Sequence, residues 1–274
     1  MAPEDIGGAL RLCRESRWNQ LEDDWRCFLS PDGGRCWLAE KNGSIVGTVG
    51  VLRYGASFSW VAMMLVDPGH RRLGIGSTLM EVALDALADE PCVRLDATPF
   101  GEPMYRRFQF VPEHGLSRIR IVAERGGLQP LPGMARHMET SDFPEVFERD
   151  LKVFGADRSW LLASFYRRAP EFAWVSREGR TVTGYCFGRP GYLYNHLGPI
   201  LGDQAVAREL VAHCLSGHEG STFAIDIAHT APGRIPWLET AGFEFERTFL
   251  RMCRGVRANP THLEEFAIAG PEFG

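Results

Sequence analysis

The sequence predicts an α/β protein of two similar layered domains, each a mixed, mostly antiparallel sheet with flanking helices. Three observations carry this expectation. Strand-like runs and helical stripes alternate in a fixed order over the first 124 residues; a Gly- and Pro-rich stretch, "RGGLQPLPGM", interrupts the chain; and beyond it the same order starts again. A length of 274 residues suits two domains of ordinary size.

In the first half, Ile6, Leu10 and Leu12, then Trp18, Leu21, Trp25, Phe28 and Leu29, fall at helical spacing, with a break near Ser16 and a stop at "SPDGG". Two helices are expected there. "RCWLAEKNGSIVGTVGVLRY" reads as a hairpin turning at Asn42-Gly43, and "SFSWVAMMLVD" as a further strand. A helix follows from Ser77 to Leu87, with a stripe of Leu79, Met80, Ala83, Leu84 and Leu87; then come the buried strand "CVRLDAT", a short helix "GEPMYRRFQF" and a strand "SRIRIVAE".

The second half opens with strand-like "ARHM". Ser141 is expected to cap a helix in "DFPEVFERDLKVF", and another helix covers residues 159–168. "FAWVSREGRTVTGYCFGRPGYLYNHLGPI" repeats the order of Trp, charged turn, Gly and strand, and a helix over 203–215, the strand "TFAIDIA", a short helix near "IPWLETA" and the strand "RTFLRMC" complete the copy. The expected divisions are 1–125, a linker 126–133, a second domain 134–262 and a tail 263–274. The run Phe266 to Ala269 is strand-like and is expected to return onto the first domain, so deleting residues 262–274 should lower the melting temperature.

Composition narrows the function. A net charge of −5 argues against nucleic acid as a partner, since phosphate binding needs a basic excess. Seven cysteines without a C-x-x-C pair suggest neither a zinc site nor a disulfide framework, and no metal is expected. No leader pattern or membrane-length apolar run is present, which reads as a cytoplasmic protein with no membrane partner.

The chemistry concentrates in "VDPGHRRLGIGSTLM", residues 66–80, where a strand passes through two arginines and two glycines into a helix. A helix N-terminus offers free backbone N–H groups and the positive end of the helix dipole, and Gly74 and Gly76 allow close approach of a phosphate. A Walker loop needs Lys before Ser77, and Gly76 stands there; a dinucleotide turn needs a third glycine, and Leu79 stands there.

This stretch resembles motif A of the GNAT acyltransferase superfamily, V-x-P-x-x-R-x-x-G-x-G-x-x-L, through Val66, Pro68, Arg71, Gly74, Gly76 and Leu79. "PMYRRFQF" resembles motif B through Tyr105 and Phe110, with Gln109 where Gly is usual. The resemblance implies acetyl-CoA as cofactor, held by the backbone of Met64, Leu65 and Val66 along the pantetheine arm and by Arg71, Arg72, Leu73, Gly74, Ile75, Gly76, Ser77 and Thr78 around the pyrophosphate. It implies N-acetyl transfer to a small-molecule amine, with a backbone donor near Leu65 or Val66 for the oxyanion and Tyr105 facing the sulfur. Asp96 has two readings: it binds the acceptor amine or orients a water, or with Thr98 it caps the next turn.

Trp18, Asp24, Trp25 and Trp60 fall on elements that line the acceptor groove in this superfamily; Trp25 continues a helical apolar stripe and reads as core, which leaves Trp18 as the better acceptor candidate. The second half lacks the Arg-x-x-Gly-x-Gly run and carries Asp203 and Glu209 near the corresponding loop, so it resembles the degenerate C-terminal domain of tandem-GNAT proteins such as the holothin acyltransferase group. From it, His196 and Asp226 are candidates to reach the acceptor pocket; the other reading, which burial rules favour, is that they are satisfied structural groups. A non-catalytic acyl-CoA-binding sensor is the alternative, with a dinucleotide oxidoreductase third; a monomer and a homodimer are equally compatible with the sequence.

Overall fold

The computed structural model describes residues 1–131, 133, 135–230, 233–256 and 264–274. Pro132 of the expected linker, Met134 at the expected start of the second domain, and residues 257–263, where that domain should end and the tail begin, lie outside the described residues.

The first half runs α1 (Ile6–Glu15), α2 (Glu22–Phe28), β1 (Gly34–Lys41), β2 (Ser44–Tyr54), β3 (Phe58–Val66), α3 (Ile75–Asp85), β4 (Cys92–Ala97), α4 (Glu102–Arg107) and β5 (Val111–Val122). A 3-10 turn at Pro3–Asp5 stands before α1. The β1–β2 hairpin turns through Asn42 and Gly43, both at positive φ, the geometry that suits the right-handed strand twist. The helical stripe expected to include Trp18 and Leu21 is interrupted instead: Arg17, at φ 54°, ends α1, and residues 16–21 form a turn.

The second half runs β6 (Ala135–His137), α5 (Phe143–Phe154), α6 (Ser159–Arg168), β7 (Trp174–Glu178), β8 (Thr181–Arg189), β9 (Asn195–Leu201), α7 (Gln204–Leu215), β10 (Thr222–Ala228), α8 (Arg234–Thr240), β11 (Glu244–Gly255) and β12 (Glu265–Ala267). Ser141 is not the cap of α5. Its hydroxyl donates to Glu139, and Asp142 Oδ2 closes the preceding turn by accepting from the Glu139 amide at 2.9 Å.

All strands join one sheet of 12, in the order β1-β2-β3-β4-β11-β5-β10-β9-β8-β7-β6, with β12 on β9. The two closing strands are exchanged. β11 of the second half inserts between β4 and β5 of the first, and β5 of the first lies between β10 and β11 of the second. Each half thus completes its sheet with a strand of the other, and the hydrophobic core follows. Trp25, Phe28 and Trp60 of the first half pack with Leu161, Phe165 and Phe187 of the second in one buried cluster, while α3 and α7 each cover a smaller cluster to which the exchanged strand contributes, Met252 under α3 and Ile119 under α7.

Parallel neighbours diverge in both halves. β3 and β4 pair only at Ser59–Val93 and Trp60–Arg94 and then splay apart toward Val66 and Ala97. β9 and β10 pair at residues 195–197 and 223–225 and splay likewise, but this second fork is filled: β12 pairs with β9, and the Ile268 amide donates to the Asp226 carbonyl of β10 at 3.1 Å. Beyond it the tail enters the shared core. Tyr54 Oη donates to the Phe273 carbonyl (2.7 Å), Trp60 Nε1 to that of Pro271 (2.9 Å), and the Phe273 ring stacks on Phe28 with centroids 5.5 Å apart.

Phe273 is fully buried against both halves. Phe273→Ala should therefore destabilise the protein by about 3–5 kcal/mol in urea unfolding, the usual cost of emptying a large aromatic site. A loss of less than about 1 kcal/mol, the range of ordinary surface changes, would mean the tail is not seated as described.

Candidate active site

The open fork of β3 and β4 leads into a cavity of about 1050 Å3. Its wall comprises Val61 to Val66, the loop residues His70 to Arg72 and Gly74 to Ser77, and Asp96 and Thr98 after the fork. Tyr105 on α4, Glu15 at the end of α1, Trp18, Asn19 and Gln20 from the α1–α2 turn, and Arg118, Arg247, Phe249, Pro271 and Glu272 are among the other residues that line it.

Local structure explains the loop. Asp67 Oδ1 accepts from the Gly69 amide (2.8 Å), and Arg11 reaches both Asp67 and the Ile45 carbonyl, bracing the turn against α1 and β2. Gly74, at φ 85°, occupies the left-handed region immediately before the first turn of α3, and a Cβ there would be strained although nothing crowds it. Four residues of free N–H groups at the start of the 11-residue α3 thus face the cavity mouth. Exposed Arg71 lies over the exposed ring of Phe100, 5.4 Å from its centroid. The loop residues fit a phosphate-bearing cofactor. Leu73 and Thr78 are solvent-exposed and do not contribute side chains to the wall.

Along β3 a bulge at Met63 (φ 52°) shifts the register between Thr48 and Gly50, and Thr48 Oγ1 pins it by donating to the Met63 carbonyl at 2.8 Å. Past Trp60 this strand has no partner on its β4 side, which leaves backbone donors and acceptors of Val61 to Val66 for a ligand lying in the fork. Tyr105 is half-buried in the opposite wall, edge-on to Phe110 at 6.1 Å, and its hydroxyl makes no hydrogen bond among the described residues. Burial pushes that hydroxyl above its ordinary pKa, so it is a neutral donor. Gln109, the departure from motif B, takes φ 65°, the left-handed conformation the usual Gly would supply.

Other expected site residues are placed differently. Asp96 reaches the wall, but both its oxygens accept from Arg251 of β11, at 2.9 Å each, and its side chain is wholly buried. It has no free oxygen to serve as a base. Burial raises the Asp96 carboxyl above its usual pKa against the pull of Arg251. Nor does it cap the next turn, which Thr98 closes alone by accepting from the Gly101 amide. Trp25 and Trp60 are core residues with no exposed surface; Trp60 spends its indole N–H on Pro271 and lies under Arg251. Trp18 alone of the three tryptophans lines the cavity.

His196 and Asp226 sit one layer behind the wall. Arg118 from β5 grips Asp226 with Nε and Nη2 (2.8 and 2.7 Å), and Asp226 Oδ2 also accepts from His196 Nε2 (2.8 Å). Arg189 can only donate, so His196 Nδ1 is the acceptor of their 3.1 Å contact and the ring is neutral. Burial pushes the His196 pKa down, and the Arg189 charge pushes it further. Burial alone would raise the Asp226 carboxyl, but the Arg118 charge and the bonds from Arg118 and His196 hold it well below the carboxylate range.

Sequence reasoning missed Arg118, Arg247, Phe249, Pro271 and Glu272, which reach the cavity through the exchanged strands and the tail. The one signal available was "GPEFG", whose glycines mark a tight turn. The α1–α2 turn is locked to the second half by Asn19: its Oδ1 accepts from the Leu193 and Tyr194 amides (2.8 and 3.1 Å), and its Nδ2 donates to the Tyr194 carbonyl (3.0 Å).

In the second half, the position of the glycine loop is taken by Asp203, which caps α7 by accepting from the Val206 amide at 2.9 Å. A carboxylate at that helix start repels phosphate. Among the described residues, no group of three or more His, Cys, Asp or Glu is arranged to hold a metal ion, and no helix is long and apolar enough to cross a membrane.

These features define a two-copy α/β protein with one open fork beside a glycine-rich helix start. Models of the acetyltransferase (GNAT) family and of an acetyltransferase (GNAT) domain match residues 8–110 and 146–266. The holothin acyltransferase of Pseudoalteromonas sp. (strain SANK 73390) is 28% identical over 262 residues, spanning 94% of this chain and 87% of that protein. In fold, the chain is similar to a putative acetyltransferase from Pyrococcus horikoshii (TM-score 0.82, 20% identity, 100% and 94% of the chains). It is similar also to a tandem GNAT protein from the clavulanic acid biosynthesis pathway (TM-score 0.68, 16% identity, 95% and 98%). The chain belongs to the GNAT acetyltransferases, as a tandem protein with two copies of the fold, and is an N-acyltransferase. The family uses acetyl-CoA or coenzyme A.

The Asp96–Arg251 pair is buried and bidentate, so removing one partner strands a charge. Arg251→Met should cost about 3–5 kcal/mol in chemical denaturation, and pairing it with Asp96→Leu should recover most of that loss. Equal destabilisation by the single and double variants would contradict this description of the pair.

Proposed function

We propose that the protein transfers an acetyl group from acetyl-CoA to the primary amine of a small molecule, by direct attack, in the first-half cavity. The observation that carries this reading is the conjunction of the open β3/β4 fork, the Gly74 start of α3 and the unpartnered Tyr105 hydroxyl on one cavity wall.

Bound acetyl-CoA supplies the acyl group activated as a thioester. The backbone of Met64, Leu65 and Val66 holds the extended arm of the cofactor, and the amides from Arg71 to Ser77, with the Arg71 and Arg72 charges, hold the pyrophosphate. A backbone N–H near Leu65 or Val66 offers the developing oxyanion a fixed donor. Tyr105 donates a hydrogen bond toward the sulfur. With a reference pKa near ~10, against ~8.5 for a thiol, a tyrosine does not give its proton outright to a free thiolate; burial strengthens that conclusion. Its role is to stabilise negative charge on sulfur as the thiol leaves. The acceptor enters from the side of Trp18, Asn19 and Gln20, and the overall charge of −5 favours the approach of a cationic amine.

A thiol-release assay with acetyl-CoA and a panel of primary amines tests the reading. Turnover is expected with at least one amine, and Tyr105→Phe should lower kcat by roughly 100-fold while coenzyme affinity changes little. Tight coenzyme binding with no thiol release by any amine would leave a binding protein instead, and an unchanged kcat would remove Tyr105 from the chemistry.

A further inference from the structure

Three carboxylates stand on the cavity wall: Glu15, Asp96 and Glu272. Asp96 has both oxygens on Arg251, and Glu15 is exposed at the rim, bound to Arg11 at 2.6 Å. Glu272 differs from both. It is buried, its Oε1 accepts from Arg189 Nη2, and its Oε2 accepts no hydrogen bond from a described side chain.

The turn that presents it is over-determined. The amides of Phe273 and Gly274 both donate to the Gly270 carbonyl at 2.9 Å, the carbonyls of Pro271 and Phe273 accept from Trp60 and Tyr54, and Arg189 Nη1 donates to the Ala269 carbonyl at 2.7 Å. Gly270 sits at φ 126°, and a Cβ there would come within 2.9 Å of Arg189 Nη2 and 3.1 Å of Glu272 Oε2. The turn fixes one carboxylate on the floor of the cavity.

We propose that Glu272 is the anchor of the acceptor amine: its carboxylate receives an N–H of a primary alkylamine and takes the proton that nitrogen sheds as the amide forms. This rests on the acyl-transfer reading above. The new C–N bond replaces the thioester C–S bond, whose electron pair leaves on sulfur. A primary ammonium ion loses two protons overall: the first goes to water before attack, and the second passes from nitrogen to Glu272 and on to solvent. Solvent returns one of these two protons to the thiolate, so the products are amide, thiol and one released proton.

The electrostatics suit an anchor. Burial alone would raise the Glu272 carboxyl, but the Arg189 guanidinium, and beyond it Arg118, lower it below the usual range and keep it ionised. The neighbouring charges are themselves paired, Arg118 with Asp226, Arg168 with Asp24, and Arg189 with Asp24 as well as Glu272, so of the two buried carboxylates on the wall Glu272 is the one that keeps an oxygen without a bond from a described side chain.

Ligand-detected NMR with benzylamine and its uncharged analogue benzyl alcohol, at pH 7, reads the anchor without turnover. The wild type should prefer benzylamine by roughly tenfold, as expected for a charge-assisted hydrogen bond, and Glu272→Gln should bring the two ligands within about twofold of each other. Retained coenzyme A binding by the variant shows that the fork is intact. With an amine the wild type turns over, Glu272→Gln should lower kcat/KM by roughly 100-fold, and Glu272→Asp should restore part of it. A wild type with no amine preference, or a Gln variant that keeps both the preference and the rate, overturns the proposal. Failure of the acyl-transfer reading looks different: the amine preference persists and no thiol is released.

Discussion

Two arginines reach across the boundary between the halves. Arg251 on β11 grips Asp96 at the end of β4, and Arg118 on β5 grips Asp226 at the end of β10, each by two parallel hydrogen bonds. The pairs occupy corresponding places, and they lie on the two strands that the halves exchange. A buried ion pair contributes little net stability over an apolar pair of the same shape, but its geometry is demanding, and misplacing either strand would leave charges unpaired. We therefore read the two pairs as registry devices. They hold the exchanged strands in the one alignment that brings Arg118, Arg247 and Phe249 to the cavity wall.

From this near-symmetry comes one deliberate asymmetry. Both halves splay their parallel strands into a fork, and both start a helix beyond it. In the first half the fork is open and the helix begins on Gly74; in the second the tail lies in the fork as β12 and Asp203 caps the helix. The tail does two things at once. It closes the second fork with protein backbone, and it carries Pro271 and Glu272 to the floor of the first. The degenerate half thus lines the cavity of the candidate site through its strand and the tail, and its 192–194 loop clamps Asn19.

The sequence carried the elements well because most are short amphipathic units whose pattern is local. The Asn42-Gly43 hairpin, the α3 stripe and the Gly74 helix start each depend on residues within a few positions of one another. What failed was what depends on distant pairing. Asp96 and Asp226 stand where chemistry would be looked for, at the ends of parallel strands, and nothing within their own strands announces that arginines 155 and 108 positions away consume them. Trp60, expected on an element lining the acceptor groove, is instead covered once the second half and the tail are in place, whereas the apolar stripe of α2 already marked Trp25 as core. Glu272 was invisible for the same reason: its meaning comes from Arg189, Trp60 and Tyr54, none of which is near it in the chain.

The central claim is that two copies of one fold make a single cofactor site, because backbone fills the second fork. Calorimetric titration of the full chain with coenzyme A tests it most directly. The account requires one molecule bound per chain, with binding lost when Gly74 is replaced by a β-branched residue that cannot adopt its left-handed conformation and retained when the second-half loop is altered at Asp203. Two equivalents per chain, or binding that survives the change at Gly74 and disappears with the change at Asp203, would contradict it.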